Sequence, residues 1–385
     1  MSKTRGDGTR SVALFTCFEW VSISTSVINT ARYLAGLGYE VDLYLIPGGR
    51  FGEPTFSEQA IRKIVVVPRR FLIGQLKFLW ARWRQGKDYR FAIGFDPLGL
   101  IAAAMQRLVF GTPYVYHSLE ILCISPETNW KLRLLKKLER WTSRRALLCL
   151  TQDAQRGAIL ANDLGIPPGG IGVAVNGPIG PALPQRSGYL QRKLGIDASK
   201  TIVLAVGSLM REHWIDKILD SVDTWPADCV LVLHGWIPDS NFATQVLAEA
   251  AKRPGRVFVS TDLLPDSEKY QVFQSATIGL VCYEPTDDNL KYAAGSSGKL
   301  YDFMRVGVPV VANDIPGMQE LVAGNSCGIV VRSDGLIGQA ISTMLADYRT
   351  YSQSALAAYE NYRFDVSYEA VLPRIESSLR RDGGR

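Results

Sequence analysis

Short runs of consecutive apolar residues, separated by stretches with helical spacing, constrain the fold of this chain more than any other feature. A strand with one wet face alternates apolar with polar residues, whereas a strand covered on both faces is apolar throughout. Residues 12–15, 41–46, 64–67, 91–95, 113–117, 147–151 and 171–175 read as strands of the covered kind. Between the first two, Ile23, Val27, Ala31 and Leu34 form one helical stripe closed by Gly38. The series predicts a parallel sheet with helices on both faces. Residues 177–200, rich in Pro, Gly and polar side chains, break the series and read as an interdomain linker. It restarts at 202–206, 230–234, 257–260, 278–283, 308–312 and 329–331, so a second sheet of the same kind is expected. The expected class is α/β, with one domain over residues 1–178 and another over 200–361.

Composition narrows the chemistry. With 385 residues, 47% hydrophobic and 21% charged, the chain has room for two cores and the balance of an ordinary globular enzyme. Its 43 Lys and Arg against 37 acids give +6, which suits an anionic ligand or membrane surface and is too mild to imply nucleic acid. Six widely spaced cysteines, mostly inside apolar runs, suggest free thiols in a reducing compartment. His117, His213 and His234 lack metal-ligand spacing, so no metal is expected. Residues 11–18 are too soon interrupted by Glu19 to be a signal segment, and no apolar run approaches the ~20 residues of a membrane span. The expected location is the cytoplasm, at most peripheral at the inner face of a membrane.

Residues 294–321 concentrate the functional signal. Gly295, Ser296, Ser297 and Gly298 let backbone approach a ligand closely, and 300–306 then has the period of a short helix stopped by Gly307. A helix N-terminus beside Lys299 favours a phosphate. The order Ser296-Ser297-Gly298-Lys299-Leu300-Tyr301-Asp302-Phe303, followed by Gly307-Val308-Pro309-Val310-Val311-Ala312 and Ile315-Pro316-Gly317, resembles the donor-binding segment of retaining GT-B glycosyltransferases. It is most similar to the branch that includes glycogen synthases and many bacterial polysaccharide and lipid glycosyltransferases. The resemblance implies two Rossmann-like domains facing a central cleft, with a C-terminal helix at about 362–385 crossing back onto the first. It implies that amides of Ser296, Ser297 and Gly298 hold a donor diphosphate and that Asp302 holds the ribose. The branch usually carries two glutamates separated by seven residues; here Ala294 stands at the first position and the shorter Asp302 at the second.

The same resemblance assigns Gly207 and Ser208 to the donor and sets Arg211 against its phosphates, converging with Lys299 on the charge of the leaving group. Leu263, Leu264 and Tyr283 border the base and sugar, although each is equally placed for core packing. In the first domain, His117 ends a strand where relatives face the reacting sugar. Glu120, Asp96 and Asp153 lie at similar strand ends and are weaker acceptor-side candidates, since such ends are also ordinary loop surface. Residues 17–24 contain no glycine where relatives carry a Gly-rich loop.

The implied activity is retaining transfer of a sugar from a UDP- or GDP-sugar to a hydroxyl of a glycan, lipid-linked or small-molecule acceptor in glycoconjugate biosynthesis, with no further cofactor. His117, Arg211 and Lys299 are the catalytic candidates. A non-catalytic nucleotide-sugar-binding subunit and another GT-B enzyme, a phosphorylase or epimerase, are the alternatives. Two basic stretches bear on partners. Residues 71–84 set Leu72, Leu76, Leu79 and Trp83 on one face with Lys77, Arg82 and Arg84 elsewhere; residues 130–145 set seven Lys and Arg around Leu134, Leu138 and Trp141. Each fits an anionic membrane interface, and each also offers the apolar stripe a crossover helix needs to cover a sheet.

Overall fold

The computed structural model describes residues 10–67, 71–262, 264 and 268–383. The chain forms two compact units, Met1–Val175 with Phe364–Arg385, and Asn176–Arg363. The first holds β1 (Ser11–Phe15), β2 (Glu40–Leu45), β3 (Ile61–Val65), β4 (Phe91–Phe95), β5 (Tyr114–His117), β6 (Cys149–Thr151) and β7 (Ile171–Val173). They make one parallel sheet in the order β3-β2-β1-β4-β5-β6-β7. The second holds β8 (Thr201–Ser208), β9 (Cys229–Trp236), β10 (Val257–Ser260), β11 (Ile278–Val281), β12 (Val310–Asn313) and β13 (Gly328–Val331), again parallel, in the order β10-β9-β8-β11-β12-β13. In each sheet the winding direction reverses once, between β1 and β4 and between β8 and β11. At such a reversal the helices leave to opposite faces, and the strand carboxyl ends border a crevice that can take a ligand.

Most strands fall on the apolar runs. The exception is β3, which begins three residues before the expected start, at Ile61. It is an edge strand whose outward Arg62 donates two hydrogen bonds to the buried Asp42 of β2, at 2.9 and 2.7 Å. Charge of this kind blunts a sheet edge and hides the strand from an apolar-run reading.

The segment expected to be a linker belongs instead to the second unit. Leu190 and Ile196 are buried there, and backbone bonds run from Leu183 N–H to Arg305 O and from Ser187 N–H to Gln274 O. Its Pro and Gly content marks irregular backbone, which apolar anchors still fasten. In the first unit the helix Phe364–Gly383 buries Phe364, Tyr368, Val371 and Ile375. Glu376 on that helix accepts from Arg90 Nε at 3.1 Å and from Tyr39 Oη at 2.9 Å.

Helices α1 (Thr25–Gly36), α2 (Phe71–Gln85), α3 (Asp96–Phe110), α4 (Trp130–Ser143) and α5 (Ala154–Leu164) complete the first unit, with α3 packed against both α2 and α4. The apolar stripe of α2 does not cover the sheet, because Leu76 and Trp83 face solvent. Its inner side is Gln75, Phe78 and Arg82, the last stacked over Tyr89 and Phe110. Helix α4 is more polar still inside: Leu135, Lys136, Glu139, Thr142 and Ser143 are buried, while Trp130, Leu132 and Trp141 are exposed. Glu139 accepts from Tyr116 Oη of β5 at 2.6 Å and from Lys136 Nζ at 3.0 Å, and Lys136 also meets Asp163 of α5. Burial pushes the Glu139 carboxyl above its ordinary range, against the pull of Lys136.

A buried ion pair broken on one side leaves an uncompensated charge. Glu139→Ala is therefore expected to destabilise the first unit by about 3 kcal/mol, read as a lower thermal midpoint, whereas Glu139→Gln, which keeps a hydrogen-bond acceptor for Tyr116, is expected to lose less.

Candidate functional site

In the second unit the crevice side of the sheet is built around Tyr283. Strand β11 stops at Val281, and Asn313, the last residue of β12, then accepts from Tyr283 N–H and donates to Tyr283 O, both at 2.8 Å. The Tyr283 hydroxyl meets Ser297 Oγ at 2.6 Å. Ser297 is the N-cap of the helix Gly298–Arg305, and its side chain makes no capping bond. With the hydroxyl directed to Tyr283, the first N–H groups of that helix are left for a ligand. The loop before it is pinned, since Tyr301 Oη donates to Gly295 O at 3.0 Å and Asn176 Nδ2 donates to Ser296 O at 2.8 Å. Gly307, at φ 68°, ends the helix in the left-handed region.

Lys299 sets its ammonium 4.7 Å above the Tyr283 ring. Desolvation pushes its pKa down to about 8. From the loop after β8, His213 packs perpendicular to the same ring, with centroids 5.2 Å apart, and its Nδ1 lies 2.5 Å from Ser208 O. A carbonyl only accepts, so Nδ1 carries the proton and Nε2 is the atom left for a ligand. Burial and the neighbouring Lys299 push the His213 pKa down to about 3. The end of β8 is tight: Gly235, at φ 146°, has no room for a Cβ, which would lie 1.9 Å from Gly207 O.

The structure thus brings Gly207, Ser208, Tyr283, Ser296, Ser297, Gly298 and Lys299 to one place, and Asp302 lies one turn along the same helix. Asp302 is buried and accepts from Tyr270 Oη at 2.8 Å, with Lys269 Nζ at 3.3 Å. Leu264 is half-buried, and Leu263 lies outside the described residues. Arg211, expected beside Lys299, has other partners in this structure. Its guanidinium covers the Phe242 ring at 4.6 Å and pairs with Asp216 and Gln245, because the short turn Arg211–His213 directs it to those neighbours and His213 to Tyr283. Sequence reading passed over His213 for want of metal spacing. Its place in the loop after β8 was the available signal.

In the first unit His117 ends β5, fully buried against Phe95, and burial pushes its pKa down to about 3. Neither ring nitrogen has a hydrogen-bond partner among the described residues, which is costly for a buried imidazole. Asp96, at φ 55°, follows β4 and accepts from the N–H groups of Leu119 and Glu120 at 2.8 and 3.1 Å. Desolvation raises its pKa to about 7 in spite of those two bonds. One loop thus joins His117, Asp96 and Glu120, and it is fastened from below by Gln152 and Arg156, which donate to Leu119 O at 2.8 and 2.7 Å. Asp153 is the N-cap of α5, accepting from Arg156 N–H at 2.8 Å, a structural employment that accounts for its position. No group of His, Cys, Asp and Glu suited to a metal occurs among the described residues.

Comparison with known proteins supplies the family. Residues 23–177 match the glycosyl transferase 4-like domain family, and residues 200–347 match glycosyl transferases group 1. Alpha-maltose-1-phosphate synthase of Mycolicibacterium smegmatis is 27% identical over 272 residues, which is 64% of this chain and 65% of that relative's length. The Mycobacterium tuberculosis protein of the same name is 25% identical over 283 residues, 65% of this chain and 68% of that relative. Among solved structures, Anabaena HepE in complex with UDP and glucose has a TM-score of 0.75 at 17% identity, covering 96% of this chain and 100% of that one. Sucrose-phosphate synthase from Thermosynechococcus elongatus has a TM-score of 0.74 at 16% identity, with the same coverage. At that identity the likeness is one of fold alone, yet it extends over both units, and the two domain families follow one another along the chain as the two sheets do; the chain belongs to the GT-B glycosyltransferases.

Proposed function

We propose that this chain transfers a sugar from a nucleoside-diphosphate sugar, UDP- or GDP-linked, to an acceptor hydroxyl with retention of anomeric configuration. The observation that carries the reading is Lys299, a desolvated ammonium beside an uncapped helix N-terminus. Both favour an anion with closely spaced oxygens, and a diphosphate has them. HepE, whose structure contains UDP and glucose, lends support on the donor class.

Negative charge grows on the diphosphate as the bond from the anomeric carbon to its oxygen breaks. Lys299 and the helix amides are disposed to stabilise that charge, which is the electrostatic work the step needs, whereas the neutral His213 offers only an acceptor at Nε2, suited to a hydroxyl of the donor. In the front-face course proposed here, the departing diphosphate oxygen takes the acceptor hydroxyl's proton, and the acceptor oxygen bonds to the same face of the sugar. Asp302 serves the ribose hydroxyls with a carboxylate whose Oδ1 already meets Tyr270 and Lys269. His117, Asp96 and Glu120 are the acceptor-side residues of the first unit. The buried Ala294, standing where the branch has an acid, favours a second reading, a subunit that binds nucleotide sugar without turning it over. Transfer to any acceptor, or slow hydrolysis of the donor, by purified protein removes it. Six free thiols are in keeping with a cytoplasmic location.

Proton NMR of the first product formed should show the donor's anomeric configuration; the opposite anomer refutes a retaining course. Lys299→Ala should lower turnover by roughly tenfold to a thousandfold at saturating donor, whereas Asp302→Ala should mainly raise KM, as loss of binding that is uniform along the reaction does. His117→Ala should lower turnover and leave nucleoside diphosphate affinity nearly unchanged. Arg211→Ala, removing a group engaged by Asp216 and Gln245, should change turnover less than about tenfold.

The pH dependence has a definite sign. The free site loses the Lys299 proton above about pH 8, and the diphosphate needs that proton. Affinity for UDP or GDP should fall between pH 8 and 10, approaching about tenfold per unit, and Lys299→Met should flatten the profile.

A further inference from the structure

Helices α2 and α4 of the first unit are built inside out. Their inner sides bury Gln75, Arg82, Lys136, Glu139, Thr142 and Ser143, and their outer sides present tryptophan. All four exposed tryptophans among the described residues stand on these two helices: Trp80, Trp83, Trp130 and Trp141, with exposures of 57%, 67%, 69% and 48%. Leu76 on α2 and Leu108 and Val109 in the last turn of α3, which lies between the two helices, are exposed as well. A protein in water gains nothing by burying charge and exposing indole. The arrangement is accounted for by a second, apolar-and-anionic solvent on that side.

Apart from the buried Arg82 and Lys136, the cations sort the same way as the tryptophans. Residues 71–87 contain Lys77, Arg82, Arg84 and Lys87 and no acid, and residues 130–145 contain seven Lys and Arg against Glu139 alone. That one acid is turned inward to Lys136 and Tyr116. Outside, Arg84 lies over Trp80 at 4.7 Å, Lys131 over Trp130 at 5.9 Å and Arg145 over Trp141 at 4.1 Å. Arg144 and Arg145 donate to the backbone carbonyls of Leu164 and Trp141, not to carboxylates. Indole paired with a cation suits the headgroup layer of a bilayer, where the ring meets the acyl boundary and the charge meets lipid phosphate. No helix among the described residues is long and apolar enough to cross a membrane, so contact through these faces is peripheral.

We propose that the outer faces of α2 and α4, with the end of α3, form a docking surface for an anionic lipid bilayer. The occupant follows from charge complementarity: the patch is cationic and its apolar side chains are single rings and branched chains, not a continuous groove. The surface is separate from the nucleotide-binding residues, so its failure leaves the proposed transferase reading untouched.

The test is co-sedimentation of the full chain with vesicles of phosphatidylcholine containing about one-third phosphatidylglycerol, and with phosphatidylcholine alone. Binding is expected to the anionic vesicles only, with a blue shift of tryptophan emission, and to fall by about tenfold or more when salt is raised from about 0.1 M to about 1 M. The double variant Trp80→Ser with Trp83→Ser, and separately Arg84→Gln with Arg145→Gln, should each weaken binding by about tenfold or more while leaving the thermal midpoint and UDP affinity unchanged. Equal binding to neutral vesicles, no binding to anionic ones at low salt, or variants that bind like the parent overturn the proposal. So does self-association of the parent, seen by sedimentation velocity and abolished by the tryptophan variants, since a second copy would then be the occupant.

Discussion

An ammonium group held away from water without a carboxylate is in debt until an anion reaches it. Among the described residues Lys299 pairs with no carboxylate; its neighbour is the face of Tyr283, and its pKa falls to about 8. The remainder of the second unit serves that geometry. The reversal of winding between β8 and β11 opens the crevice, Ser297 directs its hydroxyl to Tyr283 and leaves the helix amides bare, and His213 packs perpendicular to the same ring. Lys299 and the bare helix amides are both left short of an acceptor. That shared shortfall is what a diphosphate can make good.

The first unit shows the counterpart with the opposite polarity. His117 is buried with both nitrogens unpartnered, and Asp96 is kept close to neutrality by desolvation. Neither is a good anion site; each offers an exchangeable position to a neutral, hydroxylated molecule, which is the character expected on the acceptor side.

Much of the fold was legible because parallel strands covered on both faces cannot hide their apolar runs. Where a strand lay at an edge, as β3 does, Arg62 and Lys63 disguised it, and where irregular backbone was fastened by Leu190 and Ile196, the Pro and Gly content suggested a linker that does not exist. The turn into the helix Gly298–Arg305 was readable because Ser297, Lys299 and Asp302 are close in sequence and their spacing carries the geometry. Arg211 is the contrasting case: its direction in this structure depends on Phe242 and Gln245, some thirty residues away, and no local spacing encodes that. Helix α4 misled in a third way, since a helical period tells that two faces differ without telling which of them meets the sheet.

Asn313 has a consequence that reaches beyond its own two bonds. By the time the chain reaches Tyr283, β11 has ended, and the carboxamide of a neighbouring strand supplies both the donor and the acceptor that one more paired residue would have supplied. The sheet is thereby extended by a side chain at the one level where continued main-chain pairing would have filled the crevice. Only an amide can play this part, since a carboxylate has no hydrogen to give and a hydroxyl cannot span both groups. The ring beneath Lys299 thus takes its orientation from the stiffest part of the molecule, although the backbone that bears it is already loop.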